Sequence, residues 1–140
     1  MRSSNRSVLE SQWFWLMTRI LLAVVFLSSG LAKLLDFEGG LAEMRNAGLS
    51  PAALYNVLTI IVLLSGSALL LLDRAMLFAA SILTTFLVLT IIVVHHFWSL
   101  PEHKAMPALY IALEHVSVIG GLFAAAIVSR LRSRLSATEI

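Results

Sequence analysis

Cysteine is absent from the 140 residues, proline occurs three times, and only 13% of the chain is charged. Without cysteine there are no disulfides, no thiolate zinc sites, no iron–sulfur clusters and no covalent c-type haem. The shortage of charge excludes more. Soluble domains carry about 25% charged residues, and the eight acidic and ten basic side chains here are too few to coat a water-exposed surface. The formal net charge of +2 is too small for a nucleic-acid footprint. A Walker motif, a nucleophilic serine elbow and an internal repeat are all missing. So are the His-x-x-x-His and Glu-x-x-His spacings of helical metal sites.

What is abundant is apolar: 59% of the residues, with a mean hydropathy of +0.93. Four runs stand out, 13–35, 52–72, 75–96 and 108–128. Each has the length of about 20 residues that a helix needs to cross the ~30 Å hydrocarbon slab. None shows the polar–apolar alternation of a membrane β-barrel. The expected fold is all-α, a polytopic membrane protein whose four helices form one antiparallel bundle over 13–128. Residues 1–12 read as a cytoplasmic tail and 129–140 as a basic cytoplasmic tail. A cleavable signal peptide is the rival reading of the N-terminus, with Arg2 and Arg6 ahead of Ile20–Leu27. Arg19 interrupts its apolar core, and no Ala-x-Ala site follows.

The connection Asp73–Arg74 is short enough only for a turn. In the segment 36–51, Phe37, Leu41, Met44 and Leu49 approximate an apolar stripe opposite Glu38, Glu43 and Arg45. That pattern predicts a short interfacial helix ended by Gly48 and Pro51. Arg2, Arg6, Arg74, Arg130, Arg132 and Arg134 fall on one side of the membrane, which assigns both termini to the cytoplasm. Trp13, Trp15 and Trp98 lie near span ends, where aromatic belts occur.

Polar residues inside the spans are the informative ones, because lipid penalises them. Arg19, Ala23, Phe26, Gly30 and Lys33 share one face of the first helix at spacings of 4, 3, 4 and 3. Asn56, Thr59, Leu63 and Gly66 form a weakly polar stripe on the second. The third carries Ser81, Thr84 and Thr85 below His95 and His96, and the fourth has Glu114 and His115 about two turns inside. Glu114, Ser117, Gly121 and Ala125 share one face there. Gly30, Gly66, Gly120 and Gly121 are read as close-packing positions.

Arg19, Lys33, Asp36, His95, His96, Trp98, Glu114 and His115 therefore form the candidate ligand and proton site, all but Arg19 toward the outer leaflet. No catalytic residue is assigned. Three readings stay open: a quinone site, a haem b or metal site using His95, His96 and His115, and a structural network without ligand. Expected partners are the lipid bilayer and another membrane or redox protein, with self-association also open and nucleic acid excluded.

These residues also carry a resemblance. Arg19, Gly30 and Lys33 match the Arg-x10-Gly-x2-Lys pattern of the DoxX family of small four-helix bacterial membrane proteins. Gly39, Met44 and Gly48 match its Gly-x4-Met-x3-Gly pattern. His95–Trp98 and Val116–Gly121 are similar to the end of helix three and the start of helix four in one branch. The likeness runs over about 18–128. It departs at Leu63, where many members carry Glu, and at Glu114–His115, where Lys-Asn is usual. DoxD-like relatives are subunits of thiosulfate:quinone oxidoreductases, and other relatives act in membrane-protein assembly. The resemblance thus implies an inner-membrane subunit of a quinone-linked redox assembly, or alternatively a non-enzymatic scaffold. Quinone comes before haem b as the implied cofactor.

Overall fold

Residues 8–138 are described by a computed structural model. Its elements are α1 (Gln12–Leu35), α2 (Phe37–Asn46), α3 (Ala52–Leu72), α4 (Met76–Val93) and α5 (Glu102–Thr138), with single 3₁₀ turns at Val8–Glu10 and Phe97–Ser99. Among the described residues there is no strand. Four segments, Gln12–Leu35, Ala52–Leu72, Met76–Ser99 and Glu102–Thr138, are long and apolar enough to cross a membrane. Arg2 and Arg6, with the rest of 1–7, lie outside the described residues, as do 139 and 140.

Helix boundaries follow from local chemistry. Ser11 accepts a hydrogen bond from the Phe14 amide and caps α1. Asp36 ends α1 and begins α2, its carboxylate accepting from the Gly39 amide at 2.9 Å. A Cβ at residue 39 would collide with that carboxylate, which explains the glycine. α2 closes in a Schellman pattern: Leu49 donates to the Met44 carbonyl and Gly48 to that of Arg45, with Gly48 at φ +75°. α3 closes in the same way without a glycine. Arg74 donates to Leu69 and Asp73 to Leu70, with Asp73 in the left-handed region at φ 53°. Asp tolerates that conformation better than most non-glycine residues.

Three boundaries differ from the sequence expectation. The helix of the third span ends at Val93, so His95 and His96 stand beyond it and the hydroxyl stripe does not continue to them. α5 begins at Glu102 instead of 108 and carries Pro107 inside it, at the cost of one backbone hydrogen bond. It also runs on through 129–138, where a tail was expected. No Gly or Pro follows Gly121, and Ser136 and Thr138 bond back to the carbonyls of Arg132 and Arg134 within the helix. At 1.5 Å per residue its 37 residues extend about 55 Å, well beyond a single span.

α1 packs along α3, α3 against α4, and α4 against α5, while α2 sits on α3 and α1. The α1–α5 seam is sparse by comparison. Ala23, Phe26 and Gly30 are buried, so the face read from spacing is the one that packs. Gly30 comes so close to Leu63 and Leu64 that a Cβ there would lie 2.8 Å from a Leu64 methyl. The core is completed by Leu63, Leu70, Ala79, Leu83 and Leu122. Lipid offers no hydrophobic drive to join helices, so this close fit and buried hydrogen bonds hold them together.

Candidate functional site

The polar residues fall into three groups. The first lies where α1 begins, α3 meets α4, and α5 continues past them. Arg19 donates from Nη1 to the Leu71 carbonyl at 2.6 Å and stacks on the Trp15 ring at 5.4 Å. Leu71 belongs to the last turn of α3, whose free carbonyls and dipole favour a cation. The Arg19 Nε is buried and has no partner among the described residues. The Trp15 indole donates to Asp73 Oδ2 at 2.7 Å, and Ser129 Oγ donates to Asp73 Oδ1 at 2.6 Å. Arg132 covers the same indole at 6.0 Å and reaches the Glu10 carbonyl at 3.4 Å. One carboxylate thus joins α1, the α3–α4 turn and α5. Inspection of the chain alone misses Asp73, Trp15 and Ser129. The available signal was an acidic residue in a two-residue turn on the arginine-rich side.

The second group lies at the opposite ends of α1 and α3. Lys33 forms an ion pair with Glu43 of α2, their side chains being 12% and 62% exposed. Asp36 is committed to the α2 cap. Asn56 is fully buried; its amide donates weakly to the Phe37 carbonyl at 3.5 Å, and its Oδ1 has no partner among the described residues. Gly40 packs directly on that amide. The sequence pattern placed Asn56 on a weakly polar stripe but did not single it out. Because Glu43 faces solvent, Glu43→Gln is expected to lower stability by less than about 1 kcal/mol in chemical denaturation. A loss well above that would make the pair a main tie of α2.

The third group belongs to α4 and α5. His95 and His115 meet edge to face, ring centroids 5.3 Å apart. His96 turns away, its Nδ1 3.1 Å from the Val93 carbonyl and its ring 6.3 Å from that of Trp98, a residue that is 60% exposed. His115 follows the packed stripe of Ala108, Ala112 and Leu122. Glu114, one residue away, is exposed, as is Ser117. The inward face read through Glu114 and Ser117 therefore turns inward only at Gly121 and Ala125. Above them α5 packs on α4 and the Phe97–Ser99 turn, leaving that side of α5 open. His115 is thirteen residues into α5, yet it meets His95, which stands beyond the last residue of α4.

Lys33 and Asp36 do not join the histidines. Lys33 pairs with Glu43 and Asp36 caps α2, and the backbones of α1 and α2 stay apart from that of α4. Arg19 stands at the other end of α1 altogether. Among the described residues, no three His, Asp or Glu side chains gather as they would around a metal ion. The His95 and His115 rings touch each other, so as they stand no porphyrin plane fits between them. Of the glycines, Gly66 has Leu83 within 2.7 Å of a would-be Cβ and Gly121 has Leu22 at 3.3 Å, whereas Gly120 faces open space.

A family model described as DoxX matches residues 14–96, more than half of the chain. The chain belongs to the DoxX family. Together with its four apolar helices, membership makes it a multi-pass membrane protein. No curated protein and no solved structure matches it. The family match spans α1 through α4 and ends at His96, so it includes Arg19, Lys33, Asp73 and His95. It stops short of Glu114 and His115 on α5.

Proposed function

We propose that this DoxX protein is an inner-membrane subunit of a quinone-linked redox assembly in a bacterium. Its four spans form an antiparallel bundle, α2 lies in the interface, and both termini face the cytoplasm. The arginines Arg74, Arg130, Arg132 and Arg134 at one end support that orientation. His95, His115 and Glu114 then stand near the outer leaflet, at a ligand- and proton-handling surface open to the bilayer.

The observation that carries this reading is the contact of His95 with His115 beside an exposed carboxylate. An exposed carboxylate at the edge of the apolar layer is costly unless it has a use or a partner. The donor set suits a quinone headgroup: imidazole N–H groups to hold a carbonyl oxygen, Glu114 to accept or deliver a proton, and Trp98 as an aromatic wall. A bound quinone supplies two-electron, two-proton chemistry. The chain itself contributes binding and proton transfer, while the electrons come from a partner protein, since the sequence has no cysteine and no flavin motif. Purification in mild detergent followed by lipid-extract mass spectrometry tests the reading. The wild type should retain quinone, and Glu114→Gln and His115→Ala should each retain about tenfold less, the effect of losing one charge-assisted hydrogen bond. A folded wild type that retains none overturns it.

A second reading, a non-enzymatic scaffold, draws support from the polar groups elsewhere. Asp73, Asp36 and Lys33 are all engaged within the chain, as in an architectural network. On that reading the small residues along the open side of α5 receive another membrane protein.

A further inference from the structure

We propose that the cleft between the first turns of α4 and the last turns of α5 binds the phosphate headgroup of an anionic phospholipid. The cleft is an open groove of about 1240 Å³, and its lining combines Arg130, Arg132, Ser133 and Arg134 with Leu77 and Phe78. Arg130 and Arg134 are four residues apart and so share one face of α5. Neither forms an ion pair with any described residue. Asp73 is the one acid in the lining. Both of its oxygens accept hydrogen bonds, from Trp15 and Ser129, and it forms no ion pair with an arginine among the described residues, so one carboxylate faces three arginines in the lining, Arg130, Arg132 and Arg134. Arginine presents paired donors that suit a phosphate, and the Ser133 hydroxyl adds another.

The apolar side of the cleft selects an amphiphile over a free ion. Leu77 and Phe78 are 69% and 59% exposed on the first turn of a membrane-spanning helix. A diacyl lipid lays its chains along them and places its phosphate at the arginines, which stand where α5 leaves the apolar layer. Polybasic segments at that depth attract anionic lipid.

Native mass spectrometry of the full chain in detergent, titrated with dioleoylphosphatidylglycerol or dioleoylphosphatidylcholine, tests this. The anionic lipid should bind about tenfold more tightly than the zwitterionic one, as expected for contacts with two arginines. R130Q/R134Q should abolish the preference. R45Q/K104Q, which removes the same charge elsewhere, should keep it. Phe78→Ser should weaken both lipids without changing their ratio, and this exposed substitution leaves the core intact should the arginine variant misfold. Equal binding of the two lipids overturns the proposal, as does equal loss in the two double variants. Displacement of the lipid by millimolar inorganic phosphate also overturns it, assigning the cleft to a soluble anion.

Discussion

Asp73→Ala is expected to lower the stability of the folded chain by about 3 kcal/mol, measured by reversible denaturation in mixed micelles. The change strands two donors at once, the Trp15 indole and the Ser129 hydroxyl, which the carboxylate now accepts at 2.7 and 2.6 Å. It also puts alanine at φ 53°, a left-handed conformation that costs a residue of that type about 1 kcal/mol. Asp73→Asn should lose roughly half as much, because asparagine tolerates that conformation and its carbonyl oxygen still accepts a hydrogen bond. Trp15→Phe should resemble the milder variant, since it keeps most of the ring beneath Arg19 and Arg132 and removes one donor. Equal, small losses for all three would mean that the network is solvated and holds nothing together. Under the scaffold reading, these variants should change folding and leave partner capture intact in whatever fraction remains folded.

Gly66→Val should be the more damaging glycine substitution, costing about 3 kcal/mol or more, the upper range for overpacking a tight core. Its Cβ alone would come within 2.7 Å of Leu83, a fully buried core residue with little room to retreat. Gly120→Val provides the contrast. Nothing lies within 4 Å of a Cβ there, and removing a helical glycine offsets part of the cost of the branched side chain. Its stability should change by less than about 1 kcal/mol. The pair separates packing from recognition. A Gly120→Val protein that melts normally but no longer assembles with its membrane partner would place an interface on α5, favouring the scaffold reading. If it keeps both stability and assembly while Glu114→Gln loses quinone, the redox reading gains. If Gly66→Val melts like the wild type, the α3–α4 contact is looser than the geometry states.

The two variants also mark what could be read from the chain and what could not. Gly66 and Gly120 look alike in sequence, both small residues on an apolar helix. Only the neighbour across the gap distinguishes them: Leu83 for the first, open space for the second. Glu114 and His115 are neighbours in the chain, and adjacency does not say which way each one faces. Adjacent residues on a helix point about 100° apart, so one joins the packed stripe against α4 and the other faces outward.

Composition and period determined the rest. Four apolar runs of spanning length in a chain with so little charge permit few structures, because backbone polar groups in lipid must be satisfied within each helix. The spacing of Arg19, Ala23, Phe26, Gly30 and Lys33 determined the face that α1 turns to α3, since a helix repeats every 3.6 residues whatever surrounds it. The tertiary structure alone decided which polar groups meet. Lys33 and His95 were assigned to one leaflet by counting residues along separate helices, yet Lys33 pairs with Glu43 of α2 while His95 meets His115 of α5. Asp73, read as a turn residue, becomes the tie between three segments. Height along a helix is a local property that the chain encodes directly. Which helix stands beside which, and at what rotation, depends on side-chain fit between segments far apart in sequence.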